Sequence, residues 1–160
     1  MGMLEAMNTS PNEPAPTTRC PGCGKVNRVR AAARGAPHCA ACGVPLPWMV
    51  DADQQRFHDA VDESTLPVLA EFWADWCGPC KMVAPVVEQL SRELAGRLKV
   101  VKIDADRSPD LSRRFNVRGI PTLILFDKGQ VRDRLTGALG AADLRRWLEG
   151  HLAARQARGT

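Results

Sequence analysis

The fold and the chemistry of this 160-residue chain centre on the stretch Glu71-Phe72-Trp73-Ala74-Asp75-Trp76-Cys77-Gly78-Pro79-Cys80-Lys81. It runs from an apolar strand, through a tight turn, into a helix that would begin beside Cys77. The first turn of a helix has unpaired N–H groups and a partial positive charge, which stabilise a thiolate and lower its pKa. Cys80 follows one turn later, within reach of a disulfide with Cys77. The stretch therefore predicts a redox-active dithiol.

A Cys-x-x-Cys pair has two other interpretations, which are half of a zinc site and two buried thiols without a reaction. The tryptophans that flank this pair and the pattern that follows it argue against both. Residues 99–103 form a second apolar strand, which completes a β-α-β unit with a right-handed crossover. The remaining pattern predicts strands at 68–73, 122–126 and 131–136, and helices at 53–62, from Cys77 onward, at 108–115 and at 141–154.

The segment Trp76-Cys77-Gly78-Pro79-Cys80-Lys81 resembles the active-site motif of the thioredoxin family, and the similarity continues over about two-thirds of the chain. The resemblance implies an α/β thioredoxin fold, a central mixed β-sheet flanked by helices, in residues 48–160. It also implies a protein-disulfide reductase. In that enzyme Cys77 attacks a disulfide of a substrate protein, Cys80 resolves the mixed disulfide, and thioredoxin reductase reduces the resulting disulfide.

Glu71 is an acidic residue inside an apolar strand. Burial would raise the pKa of its carboxyl group and make it a proton acceptor near neutral pH. Thioredoxins carry a buried acid at the matching position, usually Asp, which helps to deprotonate the resolving thiol, here Cys80. The other interpretation is an acid on an edge strand that faces water. Lys102, on the neighbouring predicted strand, either pairs with Glu71 and lowers its pKa again or is a solvated strand end.

The sequence Gly119-Ile120-Pro121-Thr122 resembles the cis-proline loop of the family. Only about one X–Pro bond in twenty is cis in folded proteins, so the cis assignment and a catalytic role for Pro121 rest on the resemblance. The same resemblance implies that an extended substrate segment pairs with the backbone beside this loop. It assigns an apolar substrate surface to Trp76, Gly78, Pro79, Ile120, Gly137 and Ala138.

Four further cysteines precede this region, in the pairs Cys20-Pro21-Gly22-Cys23 and Cys39-Ala40-Ala41-Cys42, fifteen residues apart. This spacing, with a glycine after each pair, predicts one tetrahedral Zn²⁺ site held by Cys20, Cys23, Cys39 and Cys42. Residues 19–47 contain too few large apolar residues for a core, so the metal would supply their folding energy. The alternative is two more redox dithiols. His38 is expected to be a bystander.

Residues 1–18 are polar and proline-rich and predict a disordered tail, ahead of a small zinc-ribbon-like domain at 19–47. A zinc-binding unit before a thioredoxin domain resembles the zinc-binding (type 2) thioredoxins. Two other functions stay open at this point. The N-terminal thiols could form a zinc-switched redox sensor or holdase, or the chain could be a periplasmic or secreted oxidase or isomerase.

The composition limits these choices. The chain is 44% hydrophobic and 25% charged, as globular proteins are, with a net charge of +4. Acids interrupt the basic residues, and no aromatic residue stands among those between the cysteine pairs, so no nucleic-acid partner is expected. No apolar run has the length of a membrane span, and no secretory signal is recognisable. We therefore expect a cytoplasmic monomer without a membrane partner.

Overall fold

The computed structural model describes residues 16–33 and 35–159. Most of the predicted tail, residues 1–18, lies outside the described residues. Its last two residues belong to strand β1 (Thr17–Arg19), which forms an antiparallel hairpin with β2 (Val26–Arg28). Strand β2 lies between the two cysteine pairs.

A five-stranded mixed sheet follows this hairpin, in the order β3-β5-β4-β6-β7. Strands β3 and β4 run parallel to β5, whereas β6 runs antiparallel to both β4 and β7. The central mixed sheet with helices that the sequence predicted is thereby confirmed. In chain order the elements are β3 (Met49–Asp51), β4 (Val68–Trp73), α1 (Gly78–Glu93), β5 (Lys99–Asp104), α2 (Pro109–Arg114), β6 (Thr122–Asp127), β7 (Gln130–Thr136) and α3 (Ala141–Arg158).

Strand β4 lies in the interior of the sheet because both of its faces are apolar. Val68, Ala70 and Phe72 belong to one buried cluster, and Leu69 belongs to a second cluster formed with α1 and α3. Side chains alternate along a strand, so Glu71 points to the same side of the sheet as Leu69. The Glu71 carboxylate therefore lies on the face of the sheet that α1 and α3 cover.

The predicted helices from Cys77 onward and at 141–154 are confirmed as α1 and α3. Each buries an apolar face: Val83, Val87 and Leu90 on α1, and Leu144, Leu148 and Leu152 on α3. The predicted helix at 53–62 is confirmed in its second half, from His58 to Asp62. Asp53 accepts hydrogen bonds from the backbone N–H groups of Gln55 and Arg56, which makes a turn, and only His58–Asp62 forms a short π-helical segment.

The residues before β3 connect the N-terminal hairpin to the sheet through buried contacts. Trp48 is 0% exposed, and its indole N–H donates to the Arg30 carbonyl at 3.2 Å. Lys99, also fully buried, donates to the Ala31 carbonyl and lies 4.2 Å from the Trp48 ring centroid. Burial lowers the pKa of Lys99 to about 8.

One core extends across the predicted domain boundary between residues 47 and 48. The same buried cluster contains Cys20, Cys39 and Trp48 together with Phe72 and other residues of the sheet. The N-terminal unit and the sheet therefore share apolar packing. Among the described residues, no helix has both the length and the apolar character needed to cross a membrane.

Candidate active site and metal centre

Cys77 and Cys80 form a disulfide at the N-terminus of α1, with their Cα atoms 5.3 Å apart. Cys77 is the N-cap of this helix, and its Sγ accepts a hydrogen bond from the Cys80 backbone N–H at 3.1 Å. Both residues are almost fully buried. When the bond is reduced, this N–H and the positive end of the helix would stabilise a thiolate on Cys77.

Trp73, Ala74 and Ile120 pack around the disulfide. The peptide bond between Ile120 and Pro121 is cis, as the resemblance implied. The Gly137 backbone N–H donates to the Pro121 carbonyl at 2.9 Å, so the loop after β7 lies beside the cis-proline loop. The fold therefore brings Ile120, Pro121 and Gly137, three residues predicted for catalysis or substrate binding, next to one another.

The outer rim of the disulfide is exposed. Trp76 is 71% exposed, and its indole N–H donates to the Asp106 carboxylate at 2.8 Å. Gly78, Pro79 and Ala138 are also exposed. Met82, on the first turns of α1, is 71% exposed too, although the sequence did not single it out. A partner approaching Cys77 would meet this apolar rim first.

Glu71 is 1% exposed and lies on a central strand, so the interpretation as a water-facing acid on an edge strand is wrong. One of its carboxylate oxygens, Oε2, has no hydrogen-bond partner among the described residues. Burial raises the pKa of Glu71, and the charge of Lys102, its register partner on β5, offsets only part of that shift. A buried carboxyl group with a raised pKa can exchange a proton near neutral pH.

A cleft of about 560 Å³ opens at the carboxyl ends of β3, β4 and β5, beside the residues that precede Cys77. Acidic and basic side chains line it in similar numbers, so it does not select strongly for one sign of charge. They are Asp51, Asp53, Asp75 and Asp104, with Arg56, Lys102 and Arg107.

The four N-terminal cysteines come together as one cluster in which all sulfur atoms lie within 4.8 Å of one another. Sγ of Cys20 is 3.5 Å from that of Cys42, and Sγ of Cys23 is 3.6 Å from that of Cys39. Four sulfurs at about 2.3 Å from a tetrahedral zinc ion are about 3.8 Å apart, so the cluster has the right size for the ion. His38 lies outside the cluster and contacts the Ala36 carbonyl.

Two turns of the same shape carry these cysteines. In the first, the Gly24 N–H donates to the Cys20 carbonyl at 3.0 Å, and in the second the Gly43 N–H donates to the Cys39 carbonyl at 2.9 Å. Gly24 and Gly43 have φ angles of 80° and 79°, a left-handed conformation that glycine adopts without strain. The glycine after each pair is thus a requirement of the turn.

Backbone N–H groups point at the buried sulfur of each turn. Gly22 and Cys23 donate to Sγ of Cys20 at 3.3 and 3.4 Å, and Ala41 donates to Sγ of Cys39 at 3.4 Å. The N–H of Cys23 is the main cause of a lowered pKa at Cys20.

The thiols of the cluster differ in acidity. The N–H of Cys42, followed by that of Ala41, lowers the pKa of Cys39 to about 6 against the opposing effect of burial. At Cys42 the Val44 N–H lowers the pKa, but the Cys20 side chain, burial and the other two sulfurs raise it to about 12. Four thiolates this close repel one another without a cation, so the donor set fits a metal ion.

The comparisons with known proteins agree with this geometry. The family model described as Thioredoxin matches residues 48–150. Thioredoxin 1 of Chlorobaculum tepidum is 53% identical over 91 residues, which cover 57% of this chain and 90% of that protein. Chloroplastic thioredoxin M4 of Arabidopsis thaliana is 38% identical over 84% of this chain and 71% of its own length. This chain belongs to the thioredoxin family, and that membership supports a disulfide oxidoreductase.

Two relatives, thioredoxin M4 and the thioredoxin described next, also align with part of the N-terminal unit. Thioredoxin C-3 of Corynebacterium nephridii is 39% identical over 140 residues, which cover 86% of this chain and 96% of that protein. Residues 48–160 make up only about 71% of the chain, so this alignment must include part of the first 47 residues. The similarity to thioredoxins therefore reaches beyond the catalytic domain.

Two residues of these sites were not recognised from the sequence. Asn27 contacts the cysteine cluster, and Lys99 contacts the segment that carries it. The signal for Lys99 was a lysine at the start of an apolar strand, which resembles an ordinary strand end. The signal for Asn27 was a polar residue that alternates with Val26 and Arg28 on a short strand, where a solvent-facing position is equally compatible with the pattern.

Proposed function

We propose that this chain is a cytoplasmic protein-disulfide reductase of the zinc-binding thioredoxin type (thioredoxin type 2). Residues 48–160 would carry out the reaction, and residues 19–47 would hold one Zn²⁺. The observation that carries the proposal is the Cys77–Cys80 disulfide at the N-terminus of α1, with Ile120 packed against it. Substrates would be protein disulfides, and the surface formed by Trp76, Gly78, Pro79, Ile120, Gly137 and Ala138 would bind them.

The first step of the proposed reaction is an attack by Cys77 on a substrate disulfide. The Cys77 thiolate, stabilised by the helix N-terminus, attacks one substrate sulfur. The substrate S–S bond breaks, its other sulfur leaves as a thiolate, and a mixed disulfide forms with Cys77. Pairing of an extended substrate segment with the backbone beside Pro121 would align the bond for attack.

The second step resolves the mixed disulfide. The Cys80 thiol transfers its proton to the Glu71 carboxylate, and the Cys80 thiolate attacks Sγ of Cys77. The mixed disulfide breaks, the second substrate sulfur leaves as a thiolate, and the Cys77–Cys80 disulfide forms. The substrate has then gained two electrons from the dithiol, and thioredoxin reductase would return two electrons to close the cycle.

The cysteine cluster would have a structural role in this reaction. Cys20, Cys23, Cys39 and Cys42 would hold the zinc ion, which supplies folding energy to a segment with few apolar residues of its own. The remaining proposals follow from composition: a monomer with no nucleic-acid or membrane partner. The N-terminal thiols as a redox sensor or holdase receive no support beyond the cluster itself.

Serine substitutions test the proposed reaction. Cys77→Ser should abolish reduction of a protein disulfide such as that of insulin, because it removes the thiolate that opens the substrate bond in the proposed reaction. Cys80→Ser should accumulate a mixed disulfide between Cys77 and the substrate, visible as a covalent complex on non-reducing gels. The rate of disulfide reduction and the yield of the complex are the measurements.

The double variant Cys77→Ser/Cys80→Ser is the matched control, and it should give neither reduction nor complex. Substantial activity in Cys77→Ser would show that a thiol other than Cys77 opens the substrate bond, and a covalent complex formed by the double variant would show that the N-terminal thiols perform the exchange. Either result would refute the proposed function.

A further inference from the structure

Asn27 connects the two cysteine turns through one buried side chain. It lies on β2 and is 8% exposed. Its amide nitrogen donates to the Lys25 carbonyl at 3.0 Å, next to the first turn, and approaches Sγ of Cys39 at 3.6 Å in the second turn. Its amide oxygen accepts from the Ala40 N–H at 3.0 Å. Every polar atom of the Asn27 side chain therefore has a partner at the cluster.

These contacts differ from the others around the sulfurs. Within residues 16–33 and 35–159, Asn27 provides the only side-chain hydrogen bond to a cluster sulfur that does not come from another cysteine. The backbone hydrogen bonds described above join each cysteine turn to itself: Cys20 to Gly24, and Cys39 to Gly43. Asn27 instead spans both turns.

We propose that Asn27 is a positioning residue of the metal centre. It holds the second cysteine pair at the correct distance from the first and donates a hydrogen bond to the Cys39 thiolate. The inference rests on the proposed function, since it presupposes a metal ion on the four cysteines. Groups that orient metal ligands in this way commonly contribute about 10- to 100-fold to metal affinity.

The chemistry of the amide explains both parts of this role. An N–H donor draws negative charge from a thiolate, which lowers the repulsion among four thiolates around one dication. The neighbouring amide oxygen fixes the side-chain orientation, because it accepts from Ala40 while the nitrogen faces Cys39. Aspartate would keep this shape but would place a carboxylate oxygen where the thiolate needs a donor.

The test measures Zn²⁺ affinity by competition with a chelator on the full, reduced chain. Asn27→Ala should weaken affinity by about 10- to 100-fold, and Asn27→Asp, with its added negative charge, by more. Val26→Ala is the matched control, because Val26 is the preceding residue on β2 and its side chain is 51% exposed. It should bind Zn²⁺ like the unmodified chain.

A second measurement separates ligand positioning from general loss of structure. With Co²⁺ in place of Zn²⁺, the thiolate-to-metal charge-transfer absorption reports the electron density on the sulfurs. Asn27→Asp and Asn27→Ala should shift this absorption, and Val26→Ala should not. Should Asn27→Ala fail to fold, the isosteric Asn27→Asp carries both comparisons.

The outcomes distinguish this inference from the proposed function. If the unmodified chain binds one Zn²⁺ and both Asn27 variants keep its affinity and its Co²⁺ spectrum, the role of Asn27 is refuted and the proposed function stands. If the unmodified chain binds no Zn²⁺ at all, the proposed metal centre fails, and the inference about Asn27 fails with it. Disulfide reduction by Cys77 and Cys80 would be assessed separately in each variant.

Discussion

Glu71 has an unusual environment for a carboxyl group. It lies on the central strand β4, is almost fully buried, and has an oxygen without a hydrogen-bond partner among the described residues. Burial raises its pKa above the ordinary 4.5, and Lys102 offsets only part of the effect. The folded chain therefore binds a proton on Glu71 at pH values where the unfolded chain has already lost it.

This difference predicts a pH dependence of stability. Above pH 4.5 the native state binds more protons at Glu71 than the unfolded state does, so the contribution of this group to the free energy of unfolding falls as pH rises through its raised pKa. In Glu71→Gln this loss should disappear. Denaturant unfolding from pH 4 upward should show a flatter profile for the variant than for the unmodified chain.

Glu149→Gln is the matched control, because the Glu149 side chain is 44% exposed and pairs with Arg97 at the surface. It should keep the slope of the unmodified chain. An unchanged slope in Glu71→Gln would mean that Glu71 titrates in the folded chain as it does in the unfolded one, and that its proposed role as proton acceptor for Cys80 lacks a physical basis.

The limits of prediction are visible at individual residues. The spacing of the cysteines was sufficient to predict the two turns and the clustering of four sulfurs, because each turn is local and needs only two thiols and a glycine. The interior position of Glu71 was also predictable from its apolar neighbours. Asn27 was not, because its importance depends on a contact with Cys39, twelve residues away, that forms only when the second cysteine turn packs against β2.

Two buried side chains at the start of β3 and β5 attach the N-terminal unit to the sheet. Trp48 precedes β3 and Lys99 begins β5, and the two side chains donate to adjacent carbonyls, those of Arg30 and Ala31. The Lys99 ammonium also lies over the Trp48 ring, a favourable arrangement for a cation. A buried ammonium nevertheless loses its hydration, which is why the pKa of Lys99 falls to about 8.

Lys99 should therefore make stability depend on pH in the alkaline range. Between pH 8 and 10.5 the unfolded chain keeps a proton on Lys99 that the folded chain has lost, so stability gains from this group as pH rises. A pKa shift of this size corresponds to a gain of roughly 3 kcal/mol in the free energy of unfolding across this pH interval. Lys99→Met should remove that gain, which urea unfolding at pH 8 and at pH 10 would measure.

Lys128→Met provides the comparison, because Lys128 lies exposed in the turn between β6 and β7. It should retain the alkaline gain of the unmodified chain. If the free energy of unfolding of Lys99→Met depended on pH as that of the unmodified chain does, the lowered pKa of the buried Lys99 would be contradicted.

The accuracy of the predicted elements followed their length. The spacing of apolar residues predicted the longer elements, because each of them is long enough for that spacing to repeat. These elements are β4, β5, β6, β7, α1 and α3. Strand β3 has three residues, too few for a period, and it exists because Met49, Val50 and Asp51 pair with β5. The helix predicted at 53–62 begins later than expected, since the Asp53 side chain accepts hydrogen bonds from nearby backbone N–H groups and makes a turn ahead of the helical segment His58–Asp62.

The buried cluster that joins Cys20 and Cys39 to Trp48 and Phe72 makes the N-terminal unit and the sheet energetically dependent on each other. A metal ion that binds only the folded cluster stabilises whatever unfolds together with it. The domain boundary predicted from the sequence marks a change in composition, but it does not mark a gap in packing.

Removal of Zn²⁺ should thus lower the melting temperature of the whole chain. Calorimetry of the zinc-loaded chain should show a single transition, and a chelator should move that transition to lower temperature because the stabilisation by the ligand is lost. The quadruple variant in which Cys20, Cys23, Cys39 and Cys42 are serine should melt at the lower temperature with or without Zn²⁺. A separate main transition that the chelator leaves unmoved would show that the sheet folds independently.

The burial of Trp48 and Lys99 also affects how the role of the first 47 residues can be studied. A shortened chain that starts at residue 48 would expose the Trp48 indole ring to water and would lack the Arg30 and Ala31 carbonyls to which Trp48 and Lys99 donate. If this shortened chain lost turnover or solubility, the effect of a damaged sheet could not be separated from the effect of the missing zinc. The informative comparison keeps the polypeptide intact and changes only its four N-terminal thiols or its metal content.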